Sequence, residues 1–431
     1  MNKTIYKGEE LVRLLTGRRI LLAGYGREGK SSEKLIRLLL PQANITIAEG
    51  NEQIQQEAEK NYDLIIKSPG IPTFVFEGHC DLNTITSQTD LFLQVYAPQT
   101  IGVTGTKGKS TTTNLIATAM QLHNPHTLMA GNMGIPLFDI VDQIDKDTPI
   151  VAEFSCHQLE NIHRAPHTAI LLNLFEEHLD HYHSYVDYQM AKLQIALHQQ
   201  AGDHFFFCED NCTLNQLVAQ HRASIKGTIT PYSLHSPMAQ NLRHHPSHLQ
   251  GDHNLSNIVV ARLATQDWGV DDSTFDQALS LFHGLEHRLE EVGTFKGITF
   301  FNDSISTIPA ACIAAITSLQ RVDTVILGGF DRGIDYAPLV AFIQHQPLRN
   351  IVLIGKAGQR IGTMIHQSGI DNHRNILYEN DYEKIIPWCF EHTASDHICL
   401  LSPAAASYDA FKNFEQRGST FKELVKRYGN N

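Results

Sequence analysis

Residues 100–113 read TIGVTGTKGKSTTT, and this stretch decides the fold of the central part of the chain. An apolar run leads into a glycine-containing loop, and the loop leads into a helical segment. The glycines let backbone N–H groups turn towards a phosphate, and the helix adds the positive end of its dipole. A strict P-loop has a glycine where this chain has Val103, so the sequence predicts a variant phosphate loop. Its residues are Gly105, Thr106, Lys107, Gly108, Lys109, Ser110 and Thr111.

The residue types in and around this loop suit phosphoryl chemistry with Mg²⁺. Lys109 can reach the outer phosphates of a nucleotide, and the Ser110 hydroxyl can bind a magnesium ion. Glu153 ends a second apolar run, where a buried carboxylate is costly unless it is paired. His178 stands among acids in the segment EEHLD. We therefore expect Ser110 and Glu153 to hold one Mg²⁺ ion, and we expect a functional site at His178 and its neighbouring acids. The alternative for the loop is a tight turn into a helix with a surface lysine.

Apolar runs alternate with helical segments on both sides of the phosphate loop, which predicts doubly wound parallel sheets. We expect strands in 18–26, 44–50, 63–72, 149–155, 168–174, 298–303, 323–329, 350–355 and 397–403. The polar stretch 227–253 is interpreted as irregular connections. The prediction is an α/β protein of three domains: a Rossmann-like domain at 1–98, a central P-loop ATPase-type domain at 99–284 and a C-terminal Rossmann-like domain at 285–431.

A second glycine turn, GYGREG at 24–29, follows the first predicted strand and opens a helix. By itself it is typical of a dinucleotide site, and Glu49 has the spacing of a ribose-binding acid. The alternative function is therefore an NAD-dependent oxidoreductase. No second dehydrogenase signature follows, and an ATP-type loop does. A carboxylate beside a diphosphate is repelled, so we expect Glu28 to point outward.

Composition narrows the classes of function. The net charge of −12 argues against broad binding of nucleic acid. Seven scattered cysteines, no signal-peptide core and no apolar run of about 18 residues favour a cytoplasmic protein without a membrane span. His204, Cys208 and Cys212 lack a fourth ligand, so we do not expect zinc there.

Several further motifs occur in one order along nearly the whole chain. They are SPGIP (68–72), GNMGIP (131–136), EFSCHQLE (153–160), NLFEEHLDHY (173–182), GDHNLSN (251–257), GLEHRLE (284–290), FNDS (301–304) and LSPAAASYDAFKNFEQRG (401–418). Together with TGTKGKSTTT, this series resembles the Mur ligase family, and it is most similar to the glutamate-adding branch. The resemblance implies a peptidoglycan-precursor enzyme that joins glutamate to UDP-N-acetylmuramoyl-L-alanine through an acyl phosphate, using ATP.

The resemblance also implies roles for individual residues. UDP-substrate contacts would come from Gly26, Arg27, Glu28, Glu49, Ser68, Pro69, Gly70 and Asn132. ATP contacts beyond the loop would come from Asn254, Asn257, Arg288 and Asp303, although the two asparagines also suit helix capping. The catalytic set would be Lys109, Glu153, His178 and Lys192. Lys192, carbamylated by CO₂, would join Ser110, Glu153 and His178 in holding two Mg²⁺ ions. We expect a monomer whose partners are small molecules.

The glutamate site departs from the family pattern at one position. The resemblance implies that Thr307, Arg332, Ser407, Tyr408 and Phe414 bind glutamate. The family has a lysine where this chain has Ile305, so one cation is missing. Arg332 can compensate, because a guanidinium can bind a carboxylate through two hydrogen bonds. The stereochemistry stays open: D-glutamate is favoured, because more of the site matches than departs, and L-glutamate is the alternative.

Overall fold

The computed structural model describes residues 8–132, 134–177, 181–245, 247, 249, 251–282, 284–319, 321–369 and 374–430. The described residues form three β-sheets, each combined with helices. Two compact units contain them: Met1–Phe282 holds the first two sheets and His283–Asn431 holds the third. The predicted α/β class is confirmed. The two units meet after Phe282. The predicted domain boundaries after residues 98 and 284 both stay predictions.

The first sheet has the strand order β2-β1-β3-β4, with parallel neighbours. Its strands are β1 (Arg19–Ala23), β2 (Asn44–Ala48), β3 (Leu64–Lys67) and β4 (Ile85–Thr86); its helices are α1 (Glu9–Leu15), α2 (Arg27–Leu39), α3 (Asn51–Ala58) and α4 (Gln88–Tyr96). Short 3₁₀ helices span Thr73–Phe76, Leu82–Thr84 and Ala97–Gln99. Helices cover both faces of β1 and β3, which explains their continuous apolar runs.

The second sheet is parallel throughout, with the order β10-β9-β8-β5-β7-β6. Its strands are β5 (Thr100–Thr104), β6 (Leu128–Gly131), β7 (Ile150–Glu153), β8 (Thr168–Leu171), β9 (His204–Cys208) and β10 (Thr228–Tyr232). The helices are α5 (Lys109–His123), α6 (Cys156–Leu159), α7 (Tyr185–Leu197), α8 (Cys212–His221), α9 (Pro237–Leu242), α10 (Asp252–Asp267) and α11 (Asp272–Leu281), with 3₁₀ helices at Leu137–Gln143 and Arg222–Ser224. The carboxyl ends of the central strands β5, β7 and β8 meet at one edge, where open α/β sheets place ligand sites.

The third sheet has the order β11-β12-β16-β13-β14-β15, in which only the β11–β12 pair is antiparallel. The strands are β11 (Glu290–Phe295), β12 (Ile298–Asn302), β13 (Val322–Gly328), β14 (Asn350–Ile354), β15 (Asn375–Tyr378) and β16 (Ile398–Leu401). The helices are α12 (Pro309–Ser318), α13 (Ala337–Gln344), α14 (Gly355–Gln367), α15 (Tyr382–His392) and α16 (Phe414–Gly429). Two apolar clusters, one on each face, form the core of this unit.

Two expectations about these elements were wrong. The stretch 227–253 is not all irregular, because it contains β10 and α9. The third unit has six strands where four were predicted. Among the missed strands, β10, β11 and β15 are partly exposed edge strands, so they lack the apolar runs that mark central strands. Within the described part of the chain, no helix is long and apolar enough to cross a membrane.

Candidate active site at the phosphate loop

The phosphate loop depends on two glycines with unusual backbone angles. Gly105 has φ +152° and Gly108, the residue before α5, has φ +86°. A Cβ at position 108 would lie 2.5 Å from Oδ1 of Asn257, and one at position 105 would lie 2.9 Å from Cβ of Leu172. Both positions therefore need glycine for space as well as for conformation. The loop follows β5 directly, so the amino end of α5 lies at the edge of the sheet where β5 ends.

Side chains outside the loop fix its shape. The Lys107 N–H donates to Oδ1 of Asn173 at 2.8 Å, and Nδ2 of Asn173 donates to the Lys107 carbonyl at 3.0 Å. The hydroxyls of Thr106 and Tyr188 lie 2.7 Å apart. Lys107 is exposed and pairs with Glu177. Asn173 and Tyr188 were not among the predicted site residues, although Tyr188 lies four residues before Lys192 and so shares its helix face.

Two lysines converge on one carbonyl oxygen of the loop. The Lys109 amine donates to the Gly105 carbonyl at 3.0 Å and to the Thr106 carbonyl at 2.9 Å. The Lys192 amine donates to the same Gly105 carbonyl at 2.8 Å. Burial lowers the pKa of Lys109, against an opposing effect of Glu153. Burial, reinforced by the nearby Lys109 charge, lowers the pKa of Lys192 to about 7. The helical Lys192 is thus a buried site residue, 2% exposed.

Glu153 ends β7 beside Val103 of β5 and is 2% exposed. Its Oε1 accepts from Nδ2 of Asn132 at 2.7 Å. Its Oε2 is buried and has no hydrogen-bond partner among the described residues. A carboxylate oxygen left in this way fits a hard cation such as Mg²⁺. Ser110 lies in the first turn of α5, at the carboxyl end of the neighbouring strand, which is consistent with a shared ion.

His178 lies outside the described residues. Within the described ranges, no group of three or more His, Cys, Asp or Glu side chains is arranged to hold a metal ion. The described residues His204, Cys208 and Cys212 form no such group.

A cavity of about 190 Å³ lies between the two lysines and the end of β7. Its lining residues are Lys109, Asn132, Ser155, Cys156, His157, Glu177, Tyr188 and Lys192. Asn132, predicted to contact the UDP-substrate, donates to the Glu153 carboxylate in the structure, and its contact with the substrate stays a prediction. Ser155, Cys156 and His157 were missed as individual site residues, although they stand in the quoted segment EFSCHQLE. A cavity with two amines and a carboxylate can receive an anionic group and hold it beside a metal ion.

The N-terminal glycine turn differs from expectation at Glu28. Gly26 precedes α2, and the exposed Arg27 donates to the Gly134 carbonyl at 3.1 Å. Glu28 does not point outward: it accepts a hydrogen bond from Gln158 at 2.7 Å, and burial raises the pKa of its carboxyl group. Because Glu28 points inward, its carboxylate is not on the open side of the turn. The repulsion from a diphosphate, which led us to expect an outward side chain, is therefore relieved.

The other predicted UDP-substrate residues lie around the same sheet edge. The Ser68 hydroxyl donates to the Gly24 carbonyl at 3.0 Å, so the glycine turn and the SPGIP segment are joined. Pro69 is half-buried and Gly70 is exposed beside it. Glu49 is exposed at the end of β2, in an open depression of about 420 Å³.

Asn254 and Asn257 lie in the first two turns of α10, and neither caps it. The residue that precedes the helix is Gly251, which has no capping side chain. Asn257 is 5% exposed and its side chain packs on Gly108. Its Nδ2 donates to Oδ1 of Asn254 at 3.4 Å. The capping alternative is therefore wrong, and the asparagines are placed at the phosphate loop.

In the second unit, Asp303 is buried and Arg288 is exposed. Oδ1 of Asp303 accepts from the Leu289 N–H at 3.2 Å, and Oδ2 accepts from the Ser402 hydroxyl at 2.7 Å. Burial raises the pKa of Asp303 to about 6, although these hydrogen bonds and the Arg288 charge oppose the change.

Four of the predicted glutamate residues lie on loops after β12, β13 and β16, and Phe414 is the first residue of α16. Arg332 donates to the Thr307 carbonyl at 2.8 Å, so these two are neighbours. Ser407 is buried, whereas Tyr408 is exposed and packs its ring edge-on against Phe330. The Phe414 carbonyl accepts from the Ser304 hydroxyl at 2.8 Å. Ile305 is half-buried between Ser304 and Ser306, both of them buried.

These features define a class: an α/β protein with a nucleotide-type phosphate loop. Residues 103–265 match the family model of the Mur ligase middle domain. A UDP-N-acetylmuramoylalanine–D-glutamate ligase of Desulfitobacterium hafniense is 30% identical over 451 aligned positions, covering 96% of this chain and 98% of the relative. The enzyme of that name from Bacillus subtilis is 29% identical over 90% of this chain and 88% of the relative. The chain belongs to the Mur ligase family.

Solved structures support the fold. UDP-N-acetylmuramate–alanine ligase MurC from Thermotoga maritima has a TM-score of 0.56 at 15% identity, covering 96% of this chain and 99% of that one. MurF ligase from the same organism, solved in complex with ADP, has a TM-score of 0.54 at 14% identity and covers 88% of this chain and 92% of that one. No oxidoreductase occurs among these relatives, so the NAD-dependent alternative has no support.

Proposed function

We propose that the protein is an ATP-dependent ligase that joins D-glutamate to UDP-N-acetylmuramoyl-L-alanine, a step of peptidoglycan precursor synthesis. The observation that carries the proposal is the convergence of Lys109 and Lys192 on the Gly105 carbonyl, beside the unpartnered oxygen of Glu153. The near full-length similarity to enzymes of that name supports the choice of substrates. ATP and a UDP-linked substrate imply a cytoplasmic reaction, and we propose a monomer acting on small molecules alone.

The reaction requires two transfers. The alanyl carboxylate attacks the γ-phosphate of ATP to form an acyl phosphate and ADP; the glutamate amine then attacks the acyl carbon and phosphate leaves. Lys109 would exchange its hydrogen bonds to the Gly105 and Thr106 carbonyls for contacts with the transferring phosphoryl group. Mg²⁺, held by Ser110, Glu153, His178 and a modified Lys192, would neutralise charge on the phosphate oxygens. Asn132 orients Glu153 for that task.

Carbamylation of Lys192 is part of the proposal. Only the neutral amine attacks CO₂, and the pKa of about 7 makes neutral amine abundant near neutral pH. The product is a carboxylate-like group, which suits a hard cation and removes a buried positive charge beside Lys109. Intact-protein mass spectrometry at low temperature should detect one added CO₂ that is absent from Lys192→Ala. An unmodified amine in active enzyme contradicts this part.

The other residues and boundaries are assigned as the resemblance implies. We propose that 1–98 binds the UDP part through Gly26, Arg27 and the SPGIP segment, that 99–284 binds ATP, and that 285–431 binds glutamate. Of the predicted UDP-substrate residues, Glu28 and Asn132 would act indirectly, because each is bonded to a protein partner. Asn254 and Asn257 would contact ATP from α10. Arg288 and Asp303 would meet ATP from the second unit, and Thr307, Arg332, Ser407, Tyr408 and Phe414 would surround glutamate.

A second candidate substrate is L-glutamate, favoured by one observation. Ile305 removes a cation that the family pattern places at the amino-acid site. The deciding assay measures ADP release from ATP with UDP-N-acetylmuramoyl-L-alanine plus either D- or L-glutamate. We expect release that depends on the UDP-substrate and is faster with D-glutamate. No UDP-substrate-dependent release with either enantiomer would refute the proposed function.

A further inference from the structure

A buried ionic network lies beside the cavity, among residues to which no role has been assigned. Lys67, the last residue of β3, is 1% exposed, and its amine lies 2.9 Å from Oε2 of Glu160. The other carboxylate oxygen, Oε1, lies 2.7 Å from Nε2 of His181. Thr73 also donates its hydroxyl to Oε2 at 3.3 Å. One carboxylate thus joins three segments that are far apart in the chain.

Each segment adjoins a part of the proposed site. The Lys67 amine also donates to the Ile71 carbonyl at 2.8 Å, so its side chain closes the SPGIP segment into a turn. Glu160 follows α6, the short helix that begins three residues after Glu153. His181 comes directly after 178–180, and its ring centroid lies 4.0 Å from that of His157, which lines the cavity.

The charges in this network are firmly paired. Burial alone would raise the pKa of Glu160, but the hydrogen bond from His181 and the Lys67 charge outweigh it and lower the pKa to about 2. The side chains of Glu160 and His181 are each 10% exposed. A buried ion pair of this kind often contributes little net stability compared with apolar residues of similar volume. Stability alone is therefore a weak reason for this arrangement.

We propose that Glu160, with Lys67 and His181, is a positioning group that holds the substrate segment 68–72 in register with His181 and with the cavity residue His157, on which the His181 ring packs. This inference rests on the proposed function. Removing the network should leave the phosphate loop intact but misplace the two segments relative to each other. The measured consequence is a higher Mg²⁺ and UDP-substrate requirement, rather than loss of ATP binding.

The test uses the single variants Lys67→Met and Glu160→Gln and the double variant. Each single variant leaves a charge buried without its partner and should lower Tm. The double variant removes both charges, so its Tm should recover towards the wild-type value. Its half-maximal Mg²⁺ and UDP-substrate concentrations should nevertheless stay raised by about tenfold, as for other groups that orient metal ligands. The pair of the exposed Lys60 with the half-buried Glu57, which lies in the same unit, provides the matched control, Lys60→Met with Glu57→Gln, which should change neither requirement.

A second pair of variants keeps the test valid if Lys67 and Glu160 cannot be changed without unfolding. His181→Gln keeps a donor for Glu160, and His181→Leu removes it while keeping similar volume. We expect the raised requirements in His181→Leu and recovery in His181→Gln. Wild-type Mg²⁺ and UDP-substrate dependence in both His181→Leu and the double variant would overturn the positioning role. Failure of wild-type protein to release ADP in the UDP-substrate assay would overturn the proposed function and this inference together.

Discussion

Several charged residues of the site are buried, and the sequence around each of them does not reveal this. A helical lysine is usually exposed, and Lys192 was assigned a role only through resemblance; the structure buries it against the loop. The position of Glu153 at a strand end was predictable from the sequence. Its hydrogen bond with Asn132 was not, because that contact depends on the pairing of strands β6 and β7. Glu28 was misjudged because Gln158, its partner, lies 130 residues away.

Lys109→Ala should nearly abolish amide formation. The lysine charge is expected to meet the transferring phosphoryl group, so its loss should cost several kcal/mol, on the order of a thousandfold in kcat/KM. Initial rates of phosphate release at ATP concentrations below KM measure the effect. Lys146→Ala, on an exposed loop of the same unit, is the matched control. A Lys109→Ala protein with near-normal turnover and unchanged Tm would show that the phosphate-loop assignment is wrong.

Asp303→Asn should change how stability depends on pH. The folded-state pKa of Asp303, about 6, lies above the ordinary aspartate value of 3.8, so the folded state holds its proton more tightly. This contribution is complete below the unfolded-state value and is lost as pH rises through about 6, by up to about 3 kcal/mol. Urea unfolding of the second unit between pH 4 and 7 should therefore show the variant gaining stability relative to wild type as pH rises. A pH-independent difference would contradict it.

At the scale of elements, the sequence predicted the buried strands well and the edge strands poorly. Central strands such as β13 and β14 are buried at every residue and contain uninterrupted apolar runs, 325–327 and 351–354. β6, β10, β11 and β15 lie at sheet edges, and β4, at the edge of the first sheet, has only two residues. Edge strands need little apolar surface, and β10 even contains Pro231, which an edge tolerates. Their identity depends on pairing with distant strands, which periodicity does not report.

Gly108→Ala should damage the junction of β5, the loop and α5. The residue has φ +86°, and an added Cβ would lie 2.5 Å from Oδ1 of Asn257, so the loop or α10 must move. Gly202→Ala is the matched control, because Gly202 has φ +93° and no atom within 4 Å of an added Cβ. Both variants should lose stability, on the order of 1 kcal/mol, from the backbone alone. Only Gly108→Ala should weaken ATP binding at least tenfold by calorimetry; equal ATP affinities in the two variants would contradict the role of the loop.

At the scale of the whole molecule, the proposed reaction draws on both compact units. The phosphate loop, the two lysines and Glu153 belong to Met1–Phe282, and the proposed glutamate residues belong to His283–Asn431. Both sets of residues were predicted from the order of the motifs along the chain, because each motif is a short continuous segment of sequence. Contacts within the sites were less predictable, since they join residues far apart, as Lys109 and Lys192 show. This division implies that changes at the proposed glutamate residues of the second unit affect the use of glutamate without affecting the use of ATP.

Arg332→Ala tests that separation together with the choice of enantiomer. Arg332 lies beside Thr307 and is the cation proposed to compensate for Ile305. Loss of a charge-assisted hydrogen bond costs roughly 1.5–3 kcal/mol, so KM for glutamate should rise by about tenfold to a hundredfold. KM for ATP should stay unchanged. Arg427→Ala, which changes an exposed arginine on α16, should change neither KM. An unchanged KM for glutamate in Arg332→Ala would show that Arg332 is not the compensating group.

The wild-type protein should prefer D-glutamate, and a clear preference for L-glutamate would show that Ile305 marks a reshaped site. If the missing cation limits binding, Ile305→Lys should lower KM for the preferred enantiomer.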